Sequence, residues 1–484
     1  MTKLRAILMV VALLGAQTVL SGPAAARGAP DSFADLAERL TPAVVSITTE
    51  SFMPSMGQEG MPEFPEGSPF EELFRQFFER YGENAPQERM PVALGSGFII
   101  DPDGYVVTNN HVIEQADAII VRLDNGRELE ATVVGIDPKT DIALLKVEAD
   151  EPLPYVKLGD SGNVRVGDWV LAIGNPFGFG NSVTAGIISA RQRDIQSGPY
   201  DDYLQTDAPI NRGNSGGPLF NMDGEVVGVN TAIYSPSGGS VGIGFAVPST
   251  LVTRVVGQLR DFGRTKRGWL GVRIQSVTPE IAEGLGLPGS EGALVASVTP
   301  DGPAERSGLE SGDVIVRFNG NAIDEMRELP RVVADTDVGQ TVEVVIIRNG
   351  QEMNFDVELG ELEAFEDQLA AEMVVEGGET GANKTPGDVL GMKTAPMSPD
   401  LAQQYGLDAG SEGLVVVEVQ PGSAADRADI APGDIVLQVG QAPVSAAGDV
   451  AAEIDAARDR GARTVVVLVE RGGDAEFRAV NIAE

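Results

Sequence analysis

Short apolar runs separated by turns dominate the first half of the chain. Between residues 43 and 247 the runs are rich in Val, Ile and Thr, and Gly and Asn interrupt them. The runs are Val44–Thr49, Gly97–Ile100, Tyr105–Thr108, Ile119–Leu123, Ile142–Val147, Trp169–Ile173, Val226–Val229 and Gly242–Val247. Two dipeptides between them, Asp103-Gly104 and Asn125-Gly126, are typical of hairpin turns. Many short strands joined by tight turns predict an all-β barrel or sandwich.

After the last of these runs, apolar residues recur at helical spacing. The segment Ser249–Phe262 is expected to carry Leu251, Val255, Val256 and Leu259 on one face. Serine is a residue type that often caps the N-terminus of a helix, and Ser249 stands at that place. We therefore predict an amphipathic helix capped by Ser249.

Residues 51–90 interrupt the strand pattern with Met, Pro, Gly and Glu. A polar insertion of this length is usually mobile or functional, so we treat it as an inserted loop. It contains one aromatic cluster, Phe70–Phe78, which fits either a local mini-core or a docking patch for another subunit.

The second half of the chain contains an internal repeat. Residues 291–315 align without gaps on residues 412–436, and Leu270-Gly271-Val272 matches Leu390-Gly391-Met392. Two copies of one pattern predict two small domains of the same fold. The acidic, Gly-rich stretch 361–388 between them is predicted to be a linker.

Composition and the N-terminus narrow the class of protein. A chain of 484 residues is long enough for several domains, and its net charge of -37 argues against nucleic acid and anionic lipid surfaces as partners. Residues 1–26 resemble a signal peptide: Lys3 and Arg5 precede an apolar run, and Ala24-Ala25-Ala26 offers a cleavage site. We expect export to a bacterial periplasm with cleavage near Ala26, although an uncleaved membrane anchor is the alternative.

The stretch Asn211–Pro218 carries the chemistry. Gly213, Gly216 and Gly217 surround Ser215, so the backbone can turn tightly and aim amide groups at one point beside a hydroxyl. A serine hydroxyl needs a base, and His111 is the only histidine of the chain. Since no histidine follows Ser215, the Gly-x-Ser-x-Gly nucleophile elbow of α/β-hydrolases is excluded.

An acid completes the set. Asp141 follows His111 and precedes Ser215, which is the order of chymotrypsin-type proteases. Asp137 is a nearby rival, and Asp207 is a weaker candidate that we expect to be structural. With a single histidine, activity is expected to fall on acidification as one group titrates. We expect a serine endopeptidase that needs no cofactor and no metal.

Several motifs in fixed order resemble the HtrA/Do family of periplasmic serine proteases. They are Thr108-Asn-Asn-His111-Val, Thr140-Asp141-Ile-Ala-Leu-Leu, Gly159-Asp-Ser161, Ala172-Ile-Gly-Asn-Pro176-Phe-Gly178, Thr206-Asp-Ala, Asn211–Pro218 and Gly242-Ile-Gly-Phe-Ala-Val-Pro248. The resemblance implies a mainly β protein, with a chymotrypsin-like double β-barrel protease domain followed by two PDZ-like α+β domains. The expected bounds are 27–262, 264–360 and 389–484.

The same resemblance assigns roles. It implies Ser215 as nucleophile, His111 as general base and then acid, and Asp141 as the group that orients the imidazole. The implied oxyanion hole is the backbone of Gly213, Asn214 and Ser215. Residues expected to line the substrate site are Ile210, Thr231, Ala232, Ile233, Tyr234 and Ser235; because Pro209 and Ile210 are apolar, we expect cleavage after Val, Ala or Ile. The implied peptide-binding loops of the PDZ domains are Trp269, Leu270, Gly271 and Val272, and Leu390, Gly391 and Met392.

Partners follow from these roles. We expect unfolded or misfolded proteins as substrates, C-terminal peptides at the PDZ domains, no stable insertion in a membrane after signal cleavage, and a homo-oligomer built from trimers. Two alternatives stay open. One is a chaperone that holds unfolded clients without cutting them, and the other is a membrane-anchored protease with one regulatory substrate. A chaperone activity in addition to proteolysis is part of the expected function.

Overall fold

The computed structural model describes residues 30–51, 90–114, 116–175, 181–211, 213–235, 239–372, 387–408, 411 and 413–482. The predicted signal peptide and nearly all of the 51–90 insertion lie outside these residues. The chain divides into two compact units: one ends at Gly263 and lacks Gln196–Tyr200, and the other contains Gln196–Tyr200 and everything from Arg264 onward. Among the helices of the described residues, none is long and apolar enough to cross a membrane.

The first unit begins with helix α1 (Ala34–Leu40) and a first closed barrel, whose strands lie in the order β1-β2-β3-β6-β5-β4. The predicted hairpin turns are present: Gly104 joins β2 to β3 and Gly126 joins β4 to β5, both at positive φ. The barrel interior is apolar, with Val45, Ile47 and Leu145 fully buried. The elements are β1 (Val44–Ser51), β2 (Met90–Asp101), β3 (Tyr105–Thr108), α2 (Asn110–Ile113), β4 (Ala118–Arg122), β5 (Glu128–Asp137) and β6 (Ile142–Val147).

A second closed barrel follows in the same unit, with the strand order β10-β11-β12-β9-β8-β7. One apolar cluster contains residues from both barrels, including Phe98 and Leu144 from the first and Leu171 and Phe220 from the second. The elements are β7 (Trp169–Gly174), β8 (Ser182–Arg193), β9 (Tyr203–Thr206), β10 (Pro218–Phe220), β11 (Val226–Ile233), β12 (Gly244–Pro248) and α3 (Ser249–Phe262). Two closed barrels fit the predicted mainly β fold.

Helix α3 has the predicted bounds, but the predicted cap is wrong. Ser249 is not the N-cap, because Pro248 occupies that place. The Ser249 hydroxyl instead donates to the Gly159 carbonyl at 2.7 Å and accepts from the Ser161 amide at 3.1 Å. Leu251 packs against the core as a partly buried residue, together with the buried Val255, Val256 and Leu259, and the fully buried Val252 joins this apolar face.

The second unit contains the two repeats. The first has the sheet order β14-β15-β16-β18-β19, and its short entering strand β13 pairs with β20. Its elements are β13 (Gly268–Trp269), β14 (Val272–Ser276), α4 (Pro279–Leu285), β15 (Ala293–Val298), α5 (Pro303–Ser307), β16 (Val314–Phe318), β17 (Asn321–Ala322), α6 (Glu328–Ala334), β18 (Thr341–Arg348), β19 (Gln351–Glu358), β20 (Gly360–Glu361) and α7 (Leu362–Glu372). Helix α7 therefore lies within the stretch that was predicted as a linker.

The second repeat has the same topology with one added strand, in the order β21-β22-β23-β24-β26-β27. Its elements are β21 (Gly387–Val389), β22 (Met392–Pro396), α8 (Pro399–Tyr405), β23 (Leu414–Val419), α9 (Ala424–Arg427), β24 (Ile435–Val439), β25 (Ala442–Pro443), α10 (Ala447–Asp459), β26 (Thr464–Arg471) and β27 (Asp474–Asn481). The two copies pack through one apolar cluster that includes Leu294 and Leu468, and the Gln275 side chain bonds the backbone of Phe477 from both of its ends.

Candidate active site

Strand pairing in the first barrel brings His111 and Asp141 together. His111 lies in the one-turn helix α2 directly after β3, and Asp141 directly precedes β6, the strand that pairs with β3. One carboxylate oxygen of Asp141 lies 2.6 Å from His111 Nδ1, and the other accepts the His111 backbone N–H at 2.8 Å. This two-point contact fixes the orientation of the imidazole, and Nδ1 is the ring nitrogen that faces the acid.

The backbone of Asp141 is itself held in an uncommon conformation. Its φ is +56°, a region that aspartate tolerates better than most residues. Its carbonyl oxygen accepts the Asn110 N–H at 3.1 Å and the Asn109 side-chain amide at 2.7 Å. The same amide of Asn109 donates to the Thr231 hydroxyl in the second barrel at 3.0 Å. Asn109 therefore links the acid of one barrel to strand β11 of the other.

The two rival acids have structural contacts. Asp137 is buried and accepts hydrogen bonds from the Thr140 hydroxyl and the Lys139 N–H, so it shapes the turn that leads to Asp141. Asp207 accepts the Ile187 N–H at 2.7 Å on β8. The carboxylate that contacts His111 is that of Asp141.

The loop before β10 carries Ser215 on a tight backbone turn. Gly213 and Gly216 have φ of +96° and +83°, which favours glycine. A Cβ at Gly216 would collide with the Ser96 carbonyl and the Thr108 hydroxyl. Of the three amides predicted for the oxyanion hole, that of Asn214 is engaged elsewhere, because it donates to the Asn211 carbonyl at 3.0 Å.

The Ser215 hydroxyl is directed at strand β11. It donates to the Thr231 carbonyl at 3.5 Å, a long hydrogen bond. A β-bulge between Asn230 and Ala232 contains Thr231. The structure thus joins two of the three predicted catalytic side chains and holds the third in a rotamer that faces Thr231. Rotation about χ1 redirects a serine hydroxyl without any backbone movement.

The predicted substrate-site residues lie on both sides of the serine loop. Ile210 is buried in the second-barrel core, and Thr231, Ala232 and Ile233 form the end of β11. Tyr234 and Ser235 follow the strand: Tyr234 is 63% exposed as a residue, and the Ser235 hydroxyl donates to the Gly239 carbonyl. The segment after the strand therefore presents an aromatic ring to solvent.

The two predicted peptide-binding loops have matching backbone anchors. In the first copy, the carbonyls of Leu270 and Gly271 accept the amides of Ala304 and Thr299, each at 2.9 Å. Trp269 stacks on Phe365 of helix α7 with ring centroids 4.1 Å apart, and Val272 begins β14.

In the second copy, the carbonyls of Leu390 and Gly391 accept the amides of Ala425 and Gln420 at 3.2 and 2.8 Å. Met392 is fully buried and begins β22.

Sequence reasoning missed two residues at the site, Asn109 and Ser96. Asn109 was quoted only as a neighbour of His111, although its side chain contacts both barrels. Ser96 precedes a predicted strand and lies in Gly95-Ser96-Gly97, where a polar residue between two glycines in an apolar run was the available signal. It is fully buried against the Ser215 loop.

Comparisons with known proteins agree with this architecture. Residues 95–229 match the family of trypsin-like peptidase domains, and residues 268–359 and 389–482 each match the PDZ domain family. The chain is similar to the HtrA-type protease AlgW with decapeptide, at 43% identity and a TM-score of 0.58, over 68% of this chain and 98% of that one. AlgW with tripeptide matches at 42% identity and a TM-score of 0.56, over 68% and 97%.

Relatives extend over nearly the whole chain. A probable periplasmic serine endoprotease DegP-like of Brucella suis biovar 1 (strain 1330) is 41% identical, over 93% of this chain and 89% of that protein. A protein of the same name from Ectopseudomonas mendocina (strain ymp) is 42% identical, over 99% of this chain and 98% of its own. The chain is therefore a serine endopeptidase, with a trypsin-like peptidase domain and two PDZ domains, and it belongs to the DegP-like family of HtrA-type serine endoproteases.

Proposed function

We propose that the protein is a periplasmic endopeptidase that degrades unfolded or damaged proteins through Ser215, His111 and Asp141. The observation that carries this proposal is the two-point contact of Asp141 with His111, together with the glycine-rich turn that holds Ser215. Export with cleavage near Ala26 would bring the enzyme to the periplasm, the compartment that the names of its relatives give.

The geometry supports acyl transfer in two steps. Ser215 Oγ rotates away from the Thr231 carbonyl and attacks the scissile carbonyl, while His111 Nε2 takes its proton. Asp141 accepts the Nδ1–H and stabilises the imidazolium that forms. The amides of Gly213 and Ser215 bind the oxyanion, and His111 then returns the proton to the leaving amine. Water repeats the sequence to release the acyl group.

Substrate binding is assigned to the end of β11 and the segment after it. An extended substrate would run along Thr231, Ala232, Ile233, Tyr234 and Ser235, and its side chain before the cut would enter an apolar pocket at Ile210. Because Pro209 and Ile210 place no charge there, small and medium aliphatic residues fit this pocket better than Lys or Arg.

The PDZ domains are assigned a recruiting role. A PDZ domain binds a C-terminal peptide as an added strand, with loop amides around the terminal carboxylate. We assign this loop to Trp269, Leu270, Gly271 and Val272 in the domain 264–360. The counterpart in the domain 389–484 is Leu390, Gly391 and Met392. The protease domain is assigned to residues 27–262, and we expect the chain to assemble from trimers.

Degradation of casein tests the proposal. The wild-type protein is expected to cleave it, and sequencing of the product ends is expected to show Val, Ala or Ile before the cut. Ser215→Ala is expected to lose at least about 10⁴-fold in rate, because no other group replaces the nucleophile. Full activity in Ser215→Ala would remove the assignment, and cuts after Lys or Arg would overturn the pocket assignment alone.

A further inference from the structure

Ser96 brings strand β2 of the first barrel against the Ser215 loop of the second. The residue is fully buried. Its backbone N–H donates to the Ser215 carbonyl at 2.9 Å, and its carbonyl accepts the Thr108 hydroxyl at 2.7 Å. These backbone contacts set the distance between the strand and the loop.

The Ser96 hydroxyl makes two further hydrogen bonds, each in a defined direction. It accepts the Asn175 backbone N–H at 2.8 Å and donates to the Gly213 carbonyl at 2.6 Å. A serine hydroxyl has one proton, so a donor on one side and an acceptor on the other determine where that proton points. The proton of Ser96 therefore goes to Gly213.

The Gly213 carbonyl belongs to a peptide unit that is held at both ends. Its oxygen accepts from Ser96, and its N–H, that of Asn214, donates to the Asn211 carbonyl at 3.0 Å. This unit lies between the two amides that we assign to the oxyanion hole, those of Gly213 and Ser215. Gly213, at φ +96°, opposes rotation of its peptide planes less than any residue with a side chain would.

We propose that Ser96 is a positioning residue for the oxyanion hole: by anchoring the Gly213 carbonyl, its hydroxyl keeps the flanking amides aimed at the reacting carbonyl. The inference rests on the proposed catalytic role of Ser215. The bound substrate carries no oxyanion, which develops in the transition state that leads to the tetrahedral intermediate. Loss of this anchor therefore slows the chemical step and leaves substrate binding intact.

Ser96→Ala tests the proposal, because it removes one oxygen atom and creates no steric conflict. With a chromogenic peptide substrate, we expect kcat to fall on the order of 10-fold, less than the 10² to 10³ seen when a direct donor is removed. KM should change less than about 2-fold, as for an interaction made only in the transition state.

Ser46→Ala is the matched control. Ser46 is the cross-strand partner of Ser96, is also buried, and accepts a hydrogen bond from the Asn175 side chain rather than contacting the Ser215 loop. This variant measures how much stability and activity are lost when a buried hydroxyl is removed from the same pair of strands, β1 and β2. We expect its kcat to stay within about 2-fold of wild type, with a similar change in thermal unfolding temperature for both variants.

A peptide boronic acid gives a second readout. It forms a tetrahedral adduct with a catalytic serine, so its affinity should weaken in Ser96→Ala by the same factor as kcat/KM. Unchanged kcat and boronate affinity, a loss confined to KM, or equal losses in Ser46→Ala would each overturn the role of Ser96. If these occur while Ser215→Ala is inactive, only this inference fails; an active Ser215→Ala would defeat the proposed function as well.

Discussion

The two PDZ domains share a framework and differ at the edge where a peptide would add. In each, a buried aspartate binds an arginine on the neighbouring strand, Asp313 with Arg348 and Asp434 with Arg471. The candidate ligand edge differs. Within the described part of the first domain, strand β14 has only β15 as a partner, whereas β22 pairs with both β23 and β21.

The difference comes from the route by which the chain enters each domain. In the first copy, Gly268–Trp269 pairs with Gly360–Glu361 and does not pair with β14. In the second, Leu390 and Gly391 both have positive φ, which is the conformation of a tight two-residue hairpin turn, so Gly387–Val389 folds back on β22. Because a PDZ ligand binds as an added strand, this segment uses the hydrogen-bonding groups that a peptide needs. A repeated sequence can therefore specify the same fold twice, and among the described residues only the first copy leaves this strand edge unpaired.

The largest expected effect concerns the buried aspartate–arginine pair that both PDZ domains contain. Breaking either pair is costly because the arginine loses its buried partner and keeps only an exposed one, Glu310 for Arg348 and Asp429 for Arg471. The amide that the aspartate also binds is left unpaired as well. The guanidinium groups of Arg348 and Arg471 donate hydrogen bonds to Asp313 and Asp434, and these bonds raise the pKa of each arginine above its usual value. Arg348 is 17% exposed and Arg471 47%, so water compensates the second arginine better.

We therefore expect Asp313→Ala to destabilise its domain by about 3 kcal/mol and Asp434→Ala by about 2 kcal/mol. Hydrogen exchange of the amides in β16 and β24, measured on the full chain, reports each domain separately. Equal losses, or a larger loss in the second domain, would contradict the exposure argument.

The next effect compares the two glycines of the loops. Gly271 and Gly391 have φ of +80° and +77°, so alanine is strained at either place, by roughly 1–2 kcal/mol. A Cβ at Gly391 would also collide with the Ser423 side chain, whereas one at Gly271 would lie 3.0 Å from a ring carbon of Pro303. Gly391→Ala is expected to be the more destabilising of the two in thermal unfolding of the full chain. The reverse order would indicate that Ser423 moves aside.

Releasing β21 from β22 in the second PDZ domain is expected to strengthen peptide binding to that domain by about 1 kcal/mol. In a two-residue hairpin the residues flanking the turn exchange both hydrogen bonds, so Val389 and Gly387 use their amides and Asp388 points its own outward. Replacing Gly387 and Val389 together by proline removes these donors. The affinity of the second domain for a peptide with a free C-terminus should rise about 5- to 10-fold, as the competing hairpin is depopulated.

Calorimetric titration of the inactive Ser215→Ala chain measures this gain. We expect about one peptide bound per chain when Gly387 and Val389 are present, and about two per chain when both are replaced by proline. Asp388→Pro is the matched control, since its amide is expected to lie outside the ladder, and it should stay near 1:1. Two peptides bound per chain without any proline would contradict the self-pairing argument.

The limits of sequence inference appear in the same places. The order of His111, Asp141 and Ser215 in the sequence singles out three candidate residues, and the pairing of β3 with β6 brings the first two into contact. The rotamer of Ser215 depends on a bulge in a strand distant in sequence, and no local pattern encodes it.

Two further differences have the same physical cause. Ser249 has the local signature of a helix cap, yet its hydroxyl bonds Gly159 and Ser161, which are distant in sequence. The two Leu-Gly motifs of the PDZ loops are alike locally, yet β13 pairs with the remote strand β20, whereas β21 pairs with the adjacent strand β22. Local propensity and repeats could be predicted; which remote group satisfies a given hydrogen bond could not.

The smallest expected effect is a pH dependence of the stability of β13, the strand by which the chain enters the first PDZ domain. The contact between Glu363 and Arg267 lies beside this strand. Burial raises the pKa of Glu363, but the Arg267 backbone N–H and guanidinium, at 2.8 Å each, outweigh it and lower the pKa below the ordinary 4.5. A carboxyl whose folded pKa is depressed stabilises the fold fully above its unfolded pKa, and the contribution is lost as the pH falls through the folded value.

Below about pH 4.5, hydrogen exchange of the amides in β13 and β20 should therefore become faster. The free energy of opening of these strands should fall by less than about 1 kcal/mol. Glu363→Gln should abolish this dependence, because the amide has no charge to lose. Asp449 in the second domain also has a lowered pKa, from the backbone amides of Ser445 and Ala446. These amides carry no charge, unlike the Arg267 guanidinium, so acid should loosen the start of α10 less. If acid instead accelerated exchange in β21 and β22 first, β21 would be the pH-sensitive entering strand. The expected order, with β13 more sensitive to acid than β21, would then be reversed.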